Sequence, residues 1–147
     1  MSVFAVYNSN EVLMILADIP ITQGFADPFL KISKDAENFE VEEGACGGVC
    51  RNKTNSRLYT LELTLKGWSP DNAKLSALAA IDTNTKGGAG VGGCLVKDMN
   101  GSSIFAAGQC WIQKPGDAEF GKARGDVLWT LKAVANPGKM FIGGNKA

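Results

Sequence analysis

The chain has 147 residues, with four cysteines, fifteen carboxylates, three tryptophans and no histidine. Cys46 and Cys50 form a C-x3-C pair inside GACGGVC. Such a pair can supply half of a tetrahedral zinc site, but the other half needs a second close pair or histidines. Cys94 and Cys110 stand singly, so buried or bystander thiols are expected and no metal site. Without histidine a nucleophilic triad lacks its ordinary base. Five carboxylates, Asp35, Glu37, Glu40, Glu42 and Glu43, gather in one polar stretch. They lack the dense alternation of a calcium loop and a predicted rigid cleft that would raise one pKa. Gly88, Gly90 and Gly93 spell G-x-G-x-x-G, but the motif follows a helix and opens a strand. A dinucleotide site has the reverse order, so a flexible rim loop is expected. No G-x-x-x-x-G-K-[ST] phosphate loop occurs. These residues predict no enzyme and no cofactor.

The elements that must carry these groups are mostly strands. Residues 57–82 set the pattern. Tyr59, Leu61, Leu63 and Leu65 alternate with Thr60, Glu62, Thr64 and Lys66, which predicts a strand with one apolar and one polar face. Ser69 then serves as helix N-cap and Pro70 as first helical residue, with Leu75, Leu78, Ile81 and the alanines on one side. A helix is expected over about residues 69–82.

Residues 3–7 and 12–16 predict a hairpin or bent strand pair, and 18–28 a loop. Residues 29–32 form a short strand. The segment 33–56 is a long polar loop or arm, with a brief alternation at 39–43; a connection of that length is usually functional. Residues 94–98 and 103–113 form a hairpin turned by Asn100-Gly101, both tolerant of positive φ. In the returning strand, Ile104, Ala106, Gly108, Cys110 and Ile112 are expected on one face. Residues 126–134 alternate again, with Thr130 and Lys132 on the polar side. Asn136-Pro137-Gly138 turns into a last strand at 139–142, and the GGNKA tail frays. Trp68 and Trp129 are expected in the core, and Trp111, between Gln109 and Gln113 on one face, at an interface.

The sum is a mainly β fold. It is expected to be one domain, 1–147, an antiparallel β-sandwich or half-barrel of about seven to nine strands with one flanking helix. A chain of this size buries roughly 70% of its unfolded surface and needs no staples. No apolar run approaches the roughly 18 residues of a membrane span. The N-terminus lacks a basic start and is interrupted by polar residues at 8–11, which argues against a secretory leader and for reduced cysteines in a cytosol. Net charge is zero. Yet residues 1–50 hold eight acids and two bases, whereas 51–147 hold seven acids and thirteen bases. Both halves can simply be solvated, or an acidic loop of one copy can meet a basic face of the next. Scattered bases without interleaved aromatics argue against a nucleic-acid binder.

Four segments carry a resemblance. They are the glycine loop GACGGVCR, the strand and helix start LYTLELTLKGWSPDNAKL, the hairpin VKDMNGSSIFAAGQCWIQKP and the final strand VLWTLKAV before a GG tail. Together they resemble the tail tube proteins of contractile-tailed bacteriophages, over nearly the whole chain. The resemblance implies the tail-tube sandwich or barrel with one helix, shared with non-contractile tails and type VI tubes. It implies self-association into six-fold rings stacked as a hollow tube, with inner sheets joined edge to edge. DNA would pass through without specific binding. Sheath, baseplate and tail terminator proteins would be partners, and the virion tail, assembled in the host bacterial cytoplasm, the location.

Within this frame Asp35, Glu37, Glu40, Glu42 and Glu43 are expected to contact a neighbouring ring or subunit. Thr60, Glu62, Thr64, Lys66, Thr130 and Lys132 are the expected channel or ring surface. A strongly basic channel would hold DNA, so Lys66 and Lys132 sit uneasily there. The alternatives are a minor tail, baseplate or tube-initiator component, or a non-catalytic β-sandwich binding module.

Overall fold

The alternation that opens at Leu58 becomes the middle of a sheet. The computed structural model describes residue 8 and residues 11–22 and 24–144. In chain order it contains β1 (Val12–Leu16), β2 (Ile19–Pro20), β3 (Phe25–Lys34), β4 (Phe39–Glu43), β5 (Val49–Lys53), β6 (Leu58–Leu65), α1 (Asp71–Asn84), β7 (Gly92–Asp98), β8 (Ile104–Lys114) and β9 (Val127–Phe141). Seven strands form one curled antiparallel half-barrel in the order β2-β1-β7-β8-β9-β6-β3. Strands β4 and β5 form a separate two-stranded ribbon. The mainly β half-barrel with one helix is thus the fold expected from the sequence. The strand expected at residues 3–7 and the tail at 145–147 lie outside the described residues.

Leu61, Leu63 and Leu65 of β6 are fully buried. Opposite Leu61 and Leu63 on β9 stand Leu131 and Trp129, also buried. Met14 and Leu16, Phe105 and Cys110, and Leu75 of α1 complete the same apolar cluster. Each large apolar side chain taken from water stabilises the fold by roughly 1.5–3 kcal/mol.

The irregularities follow from particular residues. The segment expected as a loop at 18–28 instead holds β2 and the first half of β3. Proline has no amide to donate, so it is tolerated at an edge or a bulge. Pro28 sits in both: β3 is an edge strand, and its pairing with β6 slips between Phe25 and Leu30. The expected turn at Asn136-Pro137-Gly138 is likewise a bulge within the continuous strand β9, whose register against β8 jumps from Ala135 to Met140.

Strand β8 does not keep one phase. Phe105 and Ala107 are buried, then Cys110 and Ile112, with Gly108 and Gln109 both exposed between them. A bulge at that point, seen as a register slip against β7 and β9, turns the strand over by one residue. The expected single apolar face from Ile104 to Ile112 is therefore wrong in its first half. The turn after β7 also differs: neither Asn100 nor Gly101 has positive φ. The Asp98 carboxylate organises it instead, accepting from the Asn100 amide at 2.9 Å and from its side chain at 2.8 Å. The residues with left-handed backbone in a two-residue hairpin are Ala17 and Asp18, between β1 and β2.

Candidate functional site

The polar half of the alternating strands gathers on one face. Thr60 pairs with Lys132 across β6 and β9, and Glu62 with Thr130. Across β3, Ser33 stands opposite Thr60, and Lys31 opposite Glu62. Across β8, Trp111 stands opposite Lys132, and Lys114 opposite Thr130. Directly opposed residues share a face. The sheet therefore displays two rows, Ser33-Thr60-Lys132-Trp111 and Lys31-Glu62-Thr130-Lys114. Thr64 extends the face beside Leu128. Of the six residues expected on one surface, Thr60, Glu62, Thr64, Thr130 and Lys132 lie in these paired strands, and Lys66 follows just past the end of β6. Trp111 is half-buried in the first row, with its indole N–H donated to Gln113 at 2.9 Å.

Two ion pairs cover lysines of this region. The Lys132 ammonium donates to Asp35 Oδ2 at 2.7 Å and to Thr60 Oγ1 at 2.7 Å. The Thr60 hydroxyl donates to the other Asp35 oxygen. These hydrogen bonds, from Lys132 first and Thr60 second, hold the Asp35 carboxyl below its ordinary value. Lys66 pairs with Asp126 at 3.3 Å, in a more exposed setting.

Asp35 is therefore placed differently from the other arm acids. It lies at the root of the arm, where its amide donates to Leu58 O at 3.1 Å, and its carboxylate turns onto the sheet face. Glu40, Glu42 and Glu43 lie out on the ribbon, and Glu37 is exposed in the connection to it. Val49–Lys53, expected as loop, is the ribbon's second strand; no alternation announces it, because all five of its residues are solvated. The ribbon has two unlike faces. Glu40 and Glu42 oppose Asn52 and Cys50, and Asn52 donates to Glu42 at 3.1 Å. On the other face Phe39, Val41 and Val49 are exposed, with the Arg51 guanidinium 4.3 Å above the Phe39 ring.

A second constellation holds the frame beneath. The buried Asp71 carboxylate accepts the Thr22 amide at 2.9 Å and pairs with Lys74 at 3.4 Å. Asn72 accepts the Trp129 indole N–H at 3.0 Å and donates to Lys66 O at 2.9 Å. Ser69 is buried and accepts from the Asp71 amide at 3.4 Å, but it is not the expected N-cap: Pro70 holds that position without a side-chain capping bond, and the helix runs Asp71–Asn84. A Cβ on Gly24, at φ +74°, would lie 2.4 Å from Ser69 Cβ, so this close approach requires glycine. Ser69-Pro70-Asp71-Asn72 thus ties three chain segments together. Trp68 beside it is 67% exposed rather than in the core, and Ile81 also faces solvent. The placement of Trp129 in the core holds.

The remaining candidates for chemistry are accounted for locally. Asp82 Oδ1 accepts the amides of Ala89 at 3.1 Å and Gly90 at 2.9 Å, so the glycine loop closes on the chain's own carboxylate. Cys46 and Cys50 are exposed on the ribbon, and the Cys50 thiol donates to Asn52 at 3.6 Å. Cys94 and Cys110 are buried in adjacent strands; hydrogen bonding between them, then burial, pushes the Cys94 thiol up. Among the described residues no group of three or more metal-ligating side chains converges. A cavity of about 260 Å³ is lined mainly by apolar side chains such as Phe29, Ile32 and Met140, with Asp98 and Ser103 at its margin. No protein-family model matches the chain, and no curated protein matches it.

Sequence reasoning missed Lys31, Lys114 and Asp126 as members or neighbours of the polar face. The alternation of Lys31 with Leu30 and Ile32 was the available signal for the first. It also missed the clamp roles of Asp71 and Asn72, for which the N-cap signal at Ser69 gave only the location.

Proposed function

We propose that this chain is a structural subunit that assembles with copies of itself, as the tail tube of a contractile-tailed bacteriophage does. Six-fold rings stack into a hollow conduit for genome DNA, with the sheath, baseplate and tail terminator as further partners in the virion tail. The observation that carries this reading is the pairing of two unsatisfied features in one subunit. The half-barrel has open edges at β2 and β3 among the described residues, and a ribbon projects from it with every residue exposed. Open edges invite pairing with another chain, and ring closure would supply it. The ribbon, with Glu40 and Glu42 on one face and Phe39, Val41 and Val49 among Glu43, Arg51 and Lys53 on the other, suits a neighbouring copy of mixed apolar and charged surface. The polar rows through Thr60, Glu62, Thr130 and Lys132 would then form the channel wall.

Negative-stain microscopy of the purified protein at raised concentration tests the reading. Long hollow tubes or six-fold rings are expected; rings that never stack would point to a tube initiator of the same design. A monodisperse monomer at high concentration, with no ring captured by cross-linking, would sink it.

A further inference from the structure

The channel reading leaves the lysines to be explained. A free ammonium on a wall along which DNA moves is a phosphate ligand, and each phosphate contact adds affinity that weakens as salt rises. Lys132 is not free. Two of its three N–H donors are committed, to Asp35 and to Thr60, and its side chain is only 24% exposed. The carboxylate that covers it comes from outside the sheet, from the root of the ribbon. Lys66 is covered by Asp126, just ahead of β9, and Lys31 stands across from Glu62. Of the lysines on or beside the two rows, Lys114 has no carboxylate opposite it in the register.

We propose that Asp35, with Asp126 as a second instance, silences its lysine toward polyanions. Duplex nucleic acid can then lie along this face without being held by it. This inference rests on the face being a channel wall. The Asp35 carboxyl, held below its ordinary value by Lys132 and Thr60, stays ionised at neutral pH and keeps the cover in place. The arrangement is also geometric. Asp35 accepts from both Thr60 and Lys132, so the carboxylate cannot swing away without breaking two hydrogen bonds at once.

The test measures binding of a short fluorescent duplex DNA of mixed sequence to the full-length protein between about 50 and 200 mM salt. Wild type, Asp35→Asn, Lys132→Gln and the double variant are compared, with circular dichroism and microscopy on the same samples. Wild type is expected to bind weakly with a shallow salt dependence. Asp35→Asn should bind several-fold more tightly at low salt, its log–log salt slope steeper by about 0.9 for each uncovered lysine that meets a phosphate. The double variant should return to wild-type behaviour, which a general loosening of the ribbon would not explain. If Asp35→Asn does not fold, Asp126→Asn uncovers Lys66 and carries the same expectation. A folded Asp35→Asn protein with unchanged affinity overturns the proposal. So does a wild type that already holds the duplex and loses it in Lys132→Gln. If the gain in affinity appears but no rings or tubes form, the silencing stands and the channel reading falls.

Discussion

Two antiparallel pairings, whose strands β5 and β6 are close in the chain, behave in opposite ways. β6 against β9 buries Leu61, Leu63, Leu65, Trp129 and Leu131 on one face and aligns polar groups on the other. β4 against β5 has the same kind of register, yet none of its ten residues is buried. Its internal supports are the Arg51–Phe39 stack and the Asn52–Glu42 bond. An isolated two-stranded ribbon is marginal in water. The sheet is therefore selected by its own packing, whereas among the described residues every residue of the ribbon's two strands stays exposed. That contrast points outward for the ribbon and inward for β6.

The contrast can be broken most directly at the core. Leu63→Ala or Leu131→Ala should cost about 2–5 kcal/mol in urea or thermal unfolding, because a cavity opens in a close-packed cluster. The clamp comes next. Asp71→Ala leaves the Thr22 amide without its acceptor and should cost about 1–3 kcal/mol by the same measurement; Asn72→Ala, which orphans the Trp129 indole, should fall in that range. The ribbon should respond differently. Changing Glu40, Glu42 and Glu43 together to glutamine should move unfolding by less than about 0.5 kcal/mol, as for exposed sites generally. It should shorten or abolish stacked assemblies seen by microscopy. Loss of the fold in that variant would end the distinction between the two regions.

The smallest effect is expected where the regions meet. Asp35 has a lowered carboxyl pKa in the folded chain, so its contribution is present above the unfolded pKa and is lost as pH falls through the folded value. Comparing melting temperatures of wild type and Asp35→Asn from pH 7 downward should show a gap at neutral pH that closes in the acid range below the ordinary carboxylate value. The pair is partly solvated, which keeps the gap small. A gap that widens toward acid would contradict the assignment.

Much of the fold was legible because period-2 alternation survives wherever one face is buried. Strands β6 and β9 announce themselves this way, whereas β1, all apolar in VLMIL, is legible as a short apolar run. What stayed hidden has three physical causes. Alternation fails across a bulge, so the sequence of β8 suggests one phase where the strand has two, and Pro28 and Pro137 look like breaks where bulges absorb them. Alternation also fails where both faces are wet, which concealed β5. Side-chain bonds between distant segments leave no local signal, so Asp35 was grouped with the ribbon acids it adjoins in sequence. Its partners lie 25 and 97 residues away.

The four cysteines divide between the two regions, with Cys94 and Cys110 sealed in the core and Cys46 and Cys50 open on the ribbon. The molecule thus carries its own footprinting standard. A thiol-alkylating reagent applied to the native chain should label the ribbon pair rapidly and the core pair only on unfolding. Mass spectrometry can therefore follow the ribbon's surroundings against an internal reference, without any engineered label. If copies come to cover the ribbon, the fast pair slows while the slow pair keeps its rate, so a single reagent tells assembly from misfolding.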